Sequence, residues 1–133
     1  MNINNKSTLF QIKTAFHEAF PFLKIEFYRH THDAKTSSPK TDQIITDEKI
    51  SDLTGKDVGV DILVVPTMKV EEFESLFYQS TGIGVQVFRN SNGVWLQTSA
   101  TDSWTLEKQN GKGERSDVDY DINPVGITDF DVE

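Results

Sequence analysis

Cysteine is absent from the 133 residues, which excludes disulfides, thiolate metal centres and cysteine nucleophiles. Long apolar runs are absent too, since no stretch approaches the roughly 18 to 20 residues that a membrane span needs. The opening MNINNKSTLFQIK lacks the basic-then-apolar order of a secretion signal. No membrane partner is expected. Basic residues are in the minority, 13 Lys and Arg against 21 Asp and Glu, for a net charge of −8. That balance opposes phosphate-rich surfaces and argues against nucleic acid as a partner. There is no GxSxG, no phosphate-binding glycine loop and no HExxH, so no reaction can be named from motifs.

What is present suits one modest core. Hydrophobic residues make up 36% and charged residues 26% of the chain, enough to bury about one face of each element in a two-layer domain. The charge is uneven. Residues 111–133 hold seven acids against Lys112 and Arg115, so the expectation is a single domain over 1–110 followed by an acidic C-terminal tail over 111–133. The two glycines of GKGER at 111–115 read as the joint between them. A long loop is expected over 30–57, rich in Thr, Ser, Asp and Lys, with a short helix after Thr46 that ends near Gly55.

An internal repeat organises the rest. Leu9, Ile12 and Phe16 align with Val70, Phe73 and Phe77, each set stepping by three and four as one apolar helical stripe does. After each helix, residues 23–29 (LKIEFYR) align with 83–89 (IGVQVFR), both alternating with period two and both ending in aromatic-Arg. A weak strand over Met1–Asn5 and a stronger one at Ile62–Val65 precede the two helices. Four apolar residues without alternation predict burial on both faces. Asn92-Gly93 predicts a two-residue hairpin leading to a further strand over 94–98. Two βαβ units plus this hairpin strand predict an α+β, ferredoxin-like two-layer sandwich with helices on one face of the sheet.

Alternation then sorts the faces. Leu23, Ile25 and Phe27 point inward, and the hairpin pairs Ser91 with Val94, Asn90 with Trp95 and Phe88 with Gln97. The helix-free face gathers Tyr28, Phe88 and Trp95 among Lys24, Glu26, Gln86 and Gln97. Aromatics collected on a wet face commonly have a partner. The leading expectation is a non-enzymatic interaction or self-association module, binding a protein partner or a second copy, with the three aromatics as anchors and the four polar residues as rim.

The remaining motifs carry less. His30, His32 and Asp33 could offer a divalent metal three ligands, and the alternative function is a small-molecule- or metal-binding hydrolytic protein built on them. Two histidines alone do not fix a site, so no cofactor is expected. Asp117, Asp119 and Asp121 resemble half of an EF-hand loop, but Ile122 and Thr128 stand where its glycine and glutamate belong. Thr101–Glu107 reads as helix-capping sequence, with the helix closed by Gly111.

The stretches VQVFR at 85–89, GVWLQT at 93–98, and Thr101-Asp102 with WTLE at 104–107 resemble a family of small, uncharacterised bacterial proteins. The resemblance covers about a third of the chain by general pattern. It implies a bacterial, cytoplasmic setting and lends no catalytic residue.

Overall fold

The computed structural model describes residues 1–29, 39–55 and 59–122, with side chains as far as Ser116. Its elements run β1 (Asn2–Asn4), α1 (Leu9–Ala19), β2 (Leu23–Tyr28), β3 (Gln43–Ile44), α2 (Ile50–Thr54), β4 (Asp61–Leu63), α3 (Val70–Thr81), β5 (Gly84–Ser91), β6 (Val94–Gln97) and α4 (Leu106–Ile122). The strands form two antiparallel sheets, β1–β4 and β3–β2–β5–β6. This is a mixed α+β architecture with four α-helices among the described residues.

Local chemistry sets each helix. At the start of α1, Thr8 Oγ1 accepts from the Gln11 N–H at 3.2 Å, and Gln11 Oε1 accepts from the Thr8 N–H at 3.0 Å. This reciprocal cap satisfies donors that the helix itself leaves unpaired. Leu9, Ile12 and Phe16 form the buried stripe. In α3 the Glu72 carboxylate accepts from the Lys69 N–H, and Gly82 at φ 76° ends the helix, a left-handed conformation that glycine adopts without steric cost. Phe16 stacks on Phe73 at 5.4 Å, and Phe77 meets Phe27 at 5.4 Å. All four rings are fully buried, in one core shared by both sheets.

The halves of the chain are related by more than the aligned segments. Equivalent strands pair with each other antiparallel, β1 with β4 and β2 with β5, and Glu26 lies opposite its own counterpart, Gln86. Such pairing is a local two-fold. It continues outward, because β3 flanks β2 as β6 flanks β5.

The helix starts repeat the relation. The Leu9 N–H donates to the Glu48 carbonyl and the Ile50 N–H to the Ser7 carbonyl. In the second half, the Val70 N–H donates to the Trp104 carbonyl and the Leu106 N–H to the Met68 carbonyl. Helices α1 and α2 thus satisfy each other's first amides, as α3 and α4 do. Ile50 and Leu106, the first residues of α2 and α4, are both fully buried. Each half is therefore β-α-β-β-α, a longer unit than the βαβ predicted.

Three expectations are corrected. Residues 62–65 are not buried on both faces: Ile62 and Val64 are buried, while Leu63 is 59% exposed. Among the described residues β4 pairs only with β1, in a two-stranded sheet that sets one face, with Ile62 and Val64, on the core. The helix expected to close at Gly111 runs on through Gly113. A Cβ at Gly113 would lie 2.8 Å from Phe22 Cβ and 3.0 Å from the Asn90 carbonyl oxygen, so this glycine serves close approach rather than a stop. The 30–57 loop contains β3 and α2, the latter ending at Gly55 as expected. The hairpin register is the one read from Asn92-Gly93, both at positive φ.

The two glycines of α4 should respond oppositely to alanine. Gly113→Ala should lower unfolding free energy by about 1 to 3 kcal/mol through overpacking. Gly111→Ala, whose Cβ meets only the flexible Arg115 end at 3.4 Å, should be neutral or stabilise by up to about 1 kcal/mol. Urea denaturation of both variants reads the difference.

Candidate functional site

The sheet face expected to carry the aromatics is only partly open. Tyr28 is 1% exposed and Gln86 fully buried, which corrects the expectation that both stand in solvent. Phe88, Trp95, Lys24, Glu26 and Gln97 are half-buried. The Lys24 ammonium lies over both rings, 5.2 Å from Phe88 and 5.1 Å from Trp95, so a cation already occupies the space between these anchors. From α1, Lys13 pairs with Glu26 at 3.2 Å, and His17 comes within 6.3 Å of the Trp95 ring. Gln43 on β3 also donates to Glu26. Burial, with Glu26 and Glu74 nearby, pushes the Tyr28 phenol up to about 12, so it stays neutral at ordinary pH. His30, His32 and Asp33 lie outside the described residues, and residues 117–122 continue α4.

Sequence reasoning did not single out the two arginines that end the repeated strands as site residues. Arg89 is 2% exposed. Its Nη1 donates to Gln109 Oε1 at 2.9 Å, and Gln109 Nε2 donates to the Thr101 carbonyl at 2.9 Å and to Thr101 Oγ1 at 2.7 Å. The Arg89 guanidinium also faces the Trp104 ring at 6.0 Å, and Asn110 Oδ1 accepts from the Phe22 N–H at 2.8 Å. A buried guanidinium is tolerable only with such partners. Helix α4 and the turn before it supply them and close this end of the sheet.

Among the described residues, the same place in the first half is open. Arg29, the counterpart of Arg89, is exposed. It lines a cavity of about 630 Å³ between the end of β2, the β3–α2 segment and the C-terminal turn of α3 at residues 79–83. Thr46 also lines it. Beside it the Asp47 side chain holds a helix start, Oδ1 accepting from the Phe10 N–H at 3.0 Å, whereas in the other half a backbone carbonyl, that of Asp102, accepts from the Glu71 N–H at 2.8 Å. Leu53 occupies the position of Gln109, each being the fourth residue of its helix. Helix α2 ends at Thr54, whereas α4 continues for three further turns. Glu48 completes the wall and accepts from Thr46 Oγ1 at 2.8 Å.

Comparison with protein-family models, curated proteins and solved structures finds no match. The site is therefore read from its own chemistry. Its volume lies within the range of small-ligand clefts, and its lining mixes apolar walls with a few polar groups, as such clefts do. The signal that could have found it was the repeated aromatic-Arg ending: one of two equivalent arginines is buried against Gln109, and the other is left at a cavity.

Gln109→Leu, which keeps the volume but removes the amide, should cost about 1.5 to 3 kcal/mol because it takes a partner from a buried guanidinium. Denaturant unfolding measures it. A loss below about 0.5 kcal/mol would mean that the Arg89–Gln109 bond does not hold α4 in place.

Proposed function

We propose that this protein is a binding module whose site is the cavity beside Arg29. The observation that supports this reading most is an asymmetry. Two halves with equivalent strands, helix starts and strand-end arginines differ in that, among the described residues, one fills this place with its own helix and the other leaves it open. A polar cavity that mere fold closure required would be filled in both halves. The test is titration of the 15N-labelled protein with a panel of neutral amide, alcohol and aromatic fragments at millimolar concentration. Shifts clustered at residues 44–54 and 79–83 are expected. Binding elsewhere, or none, would overturn the reading.

A second reading is favoured by the Lys24–Phe88–Trp95 cluster. It lies beside β6, an edge strand of its sheet, and Val94 on that strand is 59% exposed. An open edge next to half-exposed aromatics is suited to a second copy of the chain. In this reading the self-association expected from the aromatics uses Phe88 and Trp95, since Tyr28 is buried. Trp95→Ala should then convert a dimer to a monomer by light-scattering mass. A monomeric parent protein would remove the idea.

The finer reading of the fold, a ferredoxin-like sandwich, is likewise a proposal. It is supported by two βαβ units whose equivalent strands pair with each other. It would further need a ladder joining the β1–β4 pair to the larger sheet.

A further inference from the structure

We infer that β6 pairs antiparallel with β6 of a second copy about a two-fold at Trp95, which sets Val94 of each copy against Leu96 of the other. This inference rests on the self-association reading and deepens it by naming the contact, strand against strand. It starts from charge. A chain of net charge −8 repels its own copies, yet no Asp, Glu, Lys or Arg lies between Arg89 and Asp102. That stretch contains β6, an edge of its sheet among the described residues. The opposite edge, β3, is two residues long and is flanked by Asp42 on one side and by Asp47 and Glu48 on the other. Short, charged edges of that kind discourage strand addition. Strand β6 has neither protection. A cationic partner would be drawn to the acid-rich surfaces, so an uncharged edge suits a copy of the same charge.

The main chain fixes which groups face outward. The Asn90 N–H donates to the Phe22 carbonyl at 2.9 Å, on the side of β5 away from β6. Asn90 lies opposite Trp95, so these two form a pair without mutual hydrogen bonds, and Trp95 turns its own N–H and C=O outward at the edge. The Thr98 N–H, three residues on, donates inward to the Val87 carbonyl at 3.2 Å, as the alternation requires. A two-fold at Trp95 lets two copies exchange these outward groups as one hydrogen-bonded pair. It also places Val94, 59% exposed, against half-buried Leu96 twice, at the close spacing of a non-hydrogen-bonded pair. A two-fold at Leu96 would instead set Val94 against Thr98, a fully buried residue whose hydroxyl already donates to the Val87 carbonyl. Apolar contact therefore selects the register centred on Trp95. A contact built on so short a strand is at the small end of interface sizes, and the dimer it makes is a reversible one.

The test uses the full chain, whose lack of cysteine lets single introduced thiols report the register. The V94C and L96C variants, mixed in equal amounts and oxidised with diamide, should form the mixed 94–96 disulfide in large excess over either homodisulfide. Only directly opposed residues bring their Cα atoms within the roughly 4.4 to 6.8 Å that a disulfide spans. Sedimentation equilibrium from about 10 to 300 µM should show the parent dimer. V94K, which puts a charge at an exposed edge position, should weaken it about tenfold or more while leaving the circular dichroism spectrum unchanged. A predominant L96C homodisulfide would overturn the inference in favour of a two-fold at Leu96. A parent dimer that V94K leaves intact, with no disulfide in the mixture, would overturn strand pairing and leave the self-association reading on Phe88 and Trp95. A parent protein that stays monomeric throughout the range would overturn both.

Discussion

The structure depends on the way helix starts satisfy one another. A helix leaves its first N–H groups without partners, and a buried start needs them filled. Here the segment before α2 supplies carbonyls to α1, and the segment before α1 supplies carbonyls to α2. The same exchange joins α3 to α4. The bridges Thr8–Lys49 and Lys69–Thr105 mark the two crossings. This exchange fixes where α2 and α4 begin relative to the sheet. Ile50 and Leu106 are then driven fully into the core at equivalent places. Everything that distinguishes the halves lies downstream of that shared geometry.

From the shared start, the helices diverge in length and in what they carry. Helix α4 extends over the end of β5, brings Gln109 to Arg89, and passes close to Phe22 at Gly113. A charge that would be costly to bury is thereby held by an amide and an aromatic ring. Helix α2 stops after Thr54 at a left-handed Gly55, so Arg29 meets solvent and a cavity remains. The candidate site is thus a consequence of one helix ending early. The acceptors and the arginine around it are held by the framework that holds the filled half, which is a form of preorganisation.

Much of this framework was legible in the sequence. The stripes of α1 and α3, the alternation of β2 and β5, and the Asn92-Gly93 hairpin all follow from periodicity and turn chemistry, and each is found at the expected register. The larger β-α-β-β-α repeat was not legible. Its extra members, β3 and α2, are two and five residues long, too short to show a period. The length of α4 was misread because two glycines look like a stop unless the neighbouring Phe22 and Asn90 are known. Burial of Tyr28 does not follow from alternation, which tells which face a residue is on and not whether that face is covered there. Both strand-end arginines were visible as a pattern. Only packing revealed that one is buried and the other open.

The most direct test of this account is the crystal structure of the Leu53→Gln variant, which gives the first half the side chain that fills the second. The account predicts that the introduced amide turns to Arg29 at hydrogen-bond distance, about 2.7 to 3.2 Å, and reduces the cavity. An amide pointing to solvent, with Arg29 and the cavity unchanged, would contradict the equivalence on which the site rests.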